Sequence, residues 1–207
     1  MGTESKGAKG KEEPHLKIFV DGSSSGQDGE RRTGCGIYVE DEHGQEKFSA
    51  ALKLSQTMSA QAAELAAVAY VVGHPEYFPP GSVIYSDSMY VCNSLTEHLP
   101  LWEARGFVSA DRKPLPSAPL LRYIFEGAQG KGYGITKVKA HSKLAPEGNR
   151  KADELAKQGA VSGQEWKPPI EDIGEQKGKQ VKVMDLTAEQ KKDGELKKLI
   201  EGVESDT

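Results

Sequence analysis

Four acidic residues stand where packing does not explain them: Asp21, Glu64, Asp87 and Asp153. Asp21 closes the apolar run 16–20 and Asp87 the apolar run 83–85. If both runs are strands lying side by side, the two carboxylates emerge together at the carboxyl edge of a sheet, where open α/β sheets hold ligands. Glu64 interrupts Ala62-Ala63-Glu64-Leu65-Ala66-Ala67, and Asp153 interrupts Lys151-Ala152-Asp153-Glu154-Leu155-Ala156. Carboxylates that converge without cations repel one another and hold their protons more tightly, so such a cluster persists where a divalent ion neutralises it. Oxygen ligands favour Mg2+, with Mn2+ as a substitute. Two such ions about 3.5–4 Å apart activate a water and stabilise the attacking and leaving oxygens of a phosphoryl displacement. Taken singly, each residue also has a plainer reading. Asp21 before Gly22 is a turn residue, Asp87 before Ser88 a helix cap, Glu64 and Asp153 solvated helix positions, and His141 a surface histidine.

The elements that must position these groups follow from hydrophobic period. Residues 16–20, 35–39 and 48–54 read as three strands joined by short loops, an antiparallel meander. Ala62, Leu65, Ala69 and Val72 then recur at helical spacing, with Ser59 as N-cap and a stop before Pro75. A short strand at 83–85, a helix over 88–99, a Pro-rich loop over 101–119, a helix over 120–128, a strand at 135–139 and a helix over 149–160 complete the order. Strands separated by helices need crossovers, so the last two strands lie parallel to the first. The expected fold is α/β, a five-stranded mixed sheet of three antiparallel and then two parallel strands, flanked by helices.

The chain has 207 residues and 36% hydrophobic content, enough for one domain with a real core. Residues 1–14 carry too little apolar surface to offset the entropy of ordering and are expected to be disordered. The domain is expected over 15–162, followed by a polar linker and tail over 163–207 with a short helix at about 186–201. No apolar run reaches the roughly 18 residues of a membrane span, and the N-terminal segment lacks a signal peptide's apolar stretch. The expectation is therefore an intracellular protein, in cytoplasm or nucleus, with no membrane partner and monomeric as an isolated domain. Cys35 and Cys92 are too few for a disulfide framework or a cysteine-built zinc site. A net charge of −4 argues against indiscriminate nucleic-acid binding, but residues 131–157 hold seven basic against three acidic residues, a local basic face.

Five segments in order carry a family resemblance: Val20-Asp21-Gly22-Ser23-Ser24; Ser59-Ala60-Gln61-Ala62-Ala63-Glu64-Leu65; Tyr85-Ser86-Asp87-Ser88-Met89-Tyr90-Val91; Lys139-Ala140-His141; and Gly148-Asn149-Arg150-Lys151-Ala152-Asp153-Glu154-Leu155-Ala156. Over about 16–160 the sequence resembles the type 1 ribonuclease H family. The resemblance implies a ribonuclease H-like fold and an endonuclease that hydrolyses the RNA strand of RNA/DNA hybrids, leaving a 3′-hydroxyl and a 5′-phosphate. It implies Asp21, Glu64, Asp87 and Asp153 as metal ligands and catalytic residues, with His141 assisting proton transfer and product release. Ser24, Ser59, Gln61 and Asn149 fall where the family contacts the hybrid, the last three toward its minor groove and 2′-hydroxyls, by which RNA is told from DNA. Tyr90, Trp102, Phe107, Arg112 and Lys113 are similar to a basic protrusion that grips the DNA strand by stacking and phosphate neutralisation; core packing is the plainer reading of Trp102 and Phe107. The sequence departs from the family pattern at His98 (commonly aromatic), Thr57 (commonly Arg) and Ala140 (commonly Gly).

The 141–153 loop is longer than in bacterial enzymes, and residues 186–196 look like the linker before an integrase zinc-binding domain. Both features resemble retroviral and retrotransposon Pol polyproteins, which implies reverse transcriptase and integrase domains as partners within a parent polyprotein. Two rival readings follow from the same residues. One is a domesticated module that binds hybrids without cutting, disfavoured by the presence of all four carboxylates. The other is a DNA-directed nuclease of the wider superfamily, disfavoured by Gln61 and Asn149.

Overall fold

The computed structural model describes residues 16–27, 30–108, 115, 117–140, 143 and 145–170. The expected disordered segment 1–14 and the expected helix at about 186–201 lie outside these residues. Chain order is β1 (Lys17–Ser25), β2 (Arg32–Glu40), β3 (Glu46–Lys53), α1 (Ala60–Gly73), β4 (Val83–Ser86), α2 (Met89–Asn93), α3 (Leu99–Ala104), α4 (Ala118–Ala128), β5 (Gly134–Lys137), α5 (Glu147–Ser162) and β6 (Gln164–Glu165), with a π-helical turn (Ser94–His98) between α2 and α3. The sheet runs β5-β4-β1-β2-β3-β6. The β1–β2 and β2–β3 pairs are antiparallel, and β1–β4 and β4–β5 are parallel, as the crossover argument requires.

Among the described residues the sheet has six strands where the sequence predicts five. β6 is two exposed residues added parallel to β3, too short to leave any alternation. The second helix also differs from the expectation, because α3 carries on past Leu99 to Ala104. Pro100 does not end the helical run; it stands in the first turn of α3, directly after the π-helical turn.

β1 shows alternating faces. Ile18 and Val20 join Ile37, Val39 and the residues of α1 in the main core, whereas Phe19 packs with Tyr38 and Ala152 on the α5 side. α1 is buried on nearly all sides, including Ala63, Ala66, Ala67 and Val71, which lie outside the narrow stripe read from the sequence. The sheet covers one face of α1 and α4 packs on it as well, and its small alanines let both come close. α5 lies across β1, β2 and β3 on the other face. It approaches β2 closely because Gly34 and Gly36 have no side chains. A Cβ at Gly36 would sit 2.2 Å from the Ala152 carbonyl oxygen, and one at Gly34 2.2 Å from the Ala160 nitrogen. Among the described residues, no helix is long and apolar enough to cross a membrane.

Candidate active site

The parallel register pairs Phe19 with Tyr85. Two residues further along each chain, Asp21 and Asp87 come level at the carboxyl edge of the sheet. Asp21 stays within β1, opposite Gly36 of β2, so its side chain shares the α5 face and is only 5% exposed. Asp87 lies one residue past β4, and Ser88 caps α2 by accepting from the Val91 N–H at 3.2 Å.

Glu64 comes from α1, whose start is fixed by Ser59 accepting from the Ala62 N–H at 3.1 Å. Gly22 lets α1 press against β1 at this point. A Cβ there would lie 2.5 Å from the Glu64 nitrogen. The result is that carboxylate oxygens of Asp21, Glu64 and Asp87 all lie within 4.8 Å of one another.

Asp153 reaches the group from α5, one residue after the Ala152 that sits against Gly36. Its carboxylate accepts a hydrogen bond from the Asp21 carboxyl, and its Oδ2 pairs with Lys157 Nζ at 3.0 Å. Among the described residues, this is the one ion pair made to any of the four acids.

The electrostatics follow from this crowding. Burial, then the Asp87 charge, then Asp153 push the Asp21 carboxyl up to about 8, although the Gly22 N–H donates to its Oδ1 at 2.9 Å. Burial and the Asp87 charge also raise Glu64, and the Ser88 hydroxyl, donating to that carboxylate, offsets part of the rise. An all-oxygen donor set holding a carboxyl whose ionised form the protein resists fits a hard divalent cation, whose charge would reverse that resistance.

The remaining expected site residues are placed as follows. Ser24 is half-buried on β1 with its hydroxyl 3.3 Å from that of Thr33, which donates to the Met58 carbonyl. Ser59 and Gln61 are exposed at the start of α1. Tyr90 and Trp102 are half-buried, with Trp102 stacked on buried His98 at a centroid distance of 5.2 Å. Phe107 is buried beneath the Arg122 guanidinium, which lies 5.1 Å from its ring. Asn149, one turn before Asp153, is 3% exposed, and its Oδ1 has no hydrogen-bond partner among the described residues. His141, Arg112 and Lys113 lie outside the described residues. Sequence reading passed over Ser88 and Lys157. The spacing of four between Asp153 and Lys157 is the signal that could have found the second.

The RNase H family model matches residues 13–161. Ribonuclease H of Yersinia pestis (strain Pestoides F) is 32% identical over 160 residues, which span 77% of this chain and 95% of that enzyme. Among solved structures, the PFV RNase H domain in solution is 28% identical with a TM-score of 0.60, covering 71% of this chain and 94% of that one. The crystal structure of Prototype Foamy Virus protease-reverse transcriptase is 26% identical with a TM-score of 0.63, covering 78% of this chain and 23% of that chain.

Proposed function

The chain belongs to the RNase H family and is a ribonuclease H, and from that premise we propose that it hydrolyses the RNA strand of RNA/DNA hybrids at Asp21, Glu64, Asp87 and Asp153. The observation that carries this reading is the convergence of three carboxylates within 4.8 Å from a strand, a helix and a strand end distant in sequence. In this reading the four acids hold two Mg2+ ions, which Mn2+ can replace. When bound, these ions supply the positive charge that favours hydroxide over water and stabilises the leaving 3′-oxygen.

The chain's own residues do the positioning. Asp21 is fixed by β1 and by the Gly22 N–H, and the Ser88 hydroxyl holds Glu64 toward the attacking side. Ser59 and Gln61, exposed at the head of the helix that carries Glu64, face the hybrid's minor groove and read 2′-hydroxyls. Asn149 shares a helix with Asp153 and sets the approach on that side. Tyr90 and Trp102 offer ring surface to the DNA strand, with Arg112 and Lys113 as phosphate partners, while buried Phe107 shapes this region under Arg122. His141 passes the proton to the departing oxygen. The similarity to a retroviral RNase H domain further supports an origin in a Pol product, with reverse transcriptase and integrase domains as former neighbours.

The test is cleavage of end-labelled duplexes by the purified chain with Mg2+. RNA in a hybrid is cut, RNA/RNA and DNA/DNA are spared, and Asp87→Asn lowers the rate by about three orders of magnitude or more, since it removes a ligand that the charge stabilisation requires. Full activity in Asp87→Asn would remove the four-carboxylate account. Salt-sensitive hybrid binding without any cleavage would favour the non-cutting module instead.

A further inference from the structure

Lys157 lies outside the catalytic constellation yet touches it. It stands one turn after Asp153 on α5, and its Nζ rests 3.0 Å from Asp153 Oδ2. The charges of Asp21 and Glu154 also bear on it, so the ammonium sits beside the acid group. The other three acids gather within 4.8 Å of one another without an ion-pair partner among the described residues, whereas Asp153, which joins them through Asp21, is held by an ammonium.

We propose that Lys157 is a tethered competitor for the fourth carboxylate: its ammonium occupies Asp153 in the metal-free protein and is displaced when a divalent cation engages that side chain. Lys157 thereby sets the cation concentration at which the site fills. Two features suit it to this task. The lysine side chain is 65% exposed against 22% for Asp153, so the head can swing into water without disturbing the core. Exposed pairs at this helical spacing are weak, which makes the ammonium displaceable by a doubly charged ion. Lys157 is thus a positioning residue acting through Asp153.

This inference rests on the four-carboxylate reading, and the experiment separates the two. Mn2+ alone is titrated into the metal-free chain at fixed ionic strength, with free Mn2+ followed by electron paramagnetic resonance. The variants are Lys157→Gln, Lys157→Arg, Asp153→Asn and the Asp153→Asn/Lys157→Gln pair. Lys157→Gln is expected to lower the apparent Kd about three- to ten-fold, in line with the loss of one nearby like charge at a partly solvated site, while Lys157→Arg stays near the parent value. In the Asp153→Asn background the same Gln substitution changes the Kd less than about two-fold, because the contested ligand is gone. An unchanged Kd in Lys157→Gln overturns the inference, and so does an equal shift in both backgrounds, which would mark a diffuse charge effect. A parent chain that binds no Mn2+ defeats the four-carboxylate reading itself, and this inference with it.

Discussion

Asp21 is buried beside two other carboxylates, and its ionised form is the one the fold resists. Its ordinary value of 3.8 is pushed up to about 8, by burial first. Between those values the folded chain keeps a proton that the unfolded chain has released. The stabilisation is therefore fully present below about pH 4 and is lost as pH climbs through the window to about 8. The metal-free protein should melt at a lower temperature at pH 8 than at pH 5. Asp21→Asn should flatten that dependence and raise Tm at pH 8 by several degrees, on the order of 1–3 kcal/mol at about 2–4 °C per kcal/mol for a chain of this size. Mg2+ should raise Tm of the parent more at pH 8 than at pH 5, since the ion binds the deprotonated form. Differential scanning fluorimetry across pH, with EDTA or with MgCl2, measures all three, and identical pH profiles for parent and variant would contradict the argument. Asp21 and Asp87 were legible in the sequence because each follows an apolar run, although β1 continues past Asp21 to Ser25. Lys157 was open to reading from its spacing of four after Asp153, whereas Ser88 was not, because it meets Glu64 from a different element 24 residues along the chain.

The elements place these acids by close approach, and the closeness is supplied by missing side chains. Gly36 faces α5 one residue from the point where Asp153 leaves it, and a Cβ there would collide with backbone, which cannot rotate aside. Gly36→Ala should cost about 1–3 kcal/mol or more and should lower cleavage further than the lost folded fraction explains, because α5 must shift and carry Asp153 with it. Gly134→Ala is the matched control. Its Cβ would meet only Val83 methyls at 3.8 and 3.9 Å, so its effect should stay within roughly 0.5 kcal/mol. Urea titration together with the hybrid cleavage rate reads both, and an innocuous Gly36→Ala would show that α5 is not seated by this contact. Period alone revealed the strands and long helices, since Val20, Ile37 and Leu65 recur at the spacing their elements demand. It could not reveal that Gly34 and Gly36 face a helix, because a glycine carries no polarity to alternate. Nor could it reveal the two residues of β6 or the π-helical turn, which hold too few positions for any period. The width of the buried face of α1 was missed for a related reason: alanine is equally at home exposed or buried, and only the presence of α4 decides.

At the scale of the molecule, the acids gather at one edge of the sheet while the described chain finishes by sealing another. After α5, residues 163–170 return along β3. Gln164 and Glu165 pair with Leu52 and Lys53, the Trp166 N–H donates to the Lys53 carbonyl at 3.0 Å, and the Trp166 ring meets Tyr70 edge-on at 5.2 Å. Ile170 also packs on the core. The expected domain end at 162 leaves this seal out. A chain ending at 162 should therefore lose about 2–3 kcal/mol, somewhat less than removal of a fully buried tryptophan, because Trp166 is half-buried. A chain ending at 170 keeps both core clusters and all six strands of the described residues, so its Tm should exceed that of the 162-residue chain by several degrees. In both, the cleavage rate per folded molecule should hold within about two-fold, because none of the four acids lies beyond Asp153 and an edge seal acts on stability rather than on the carboxylates. Thermal melts paired with single-turnover cleavage separate the two effects. A 162-residue chain that melts no lower than the 170-residue chain would mean that the Trp166–Tyr70 contact seals nothing.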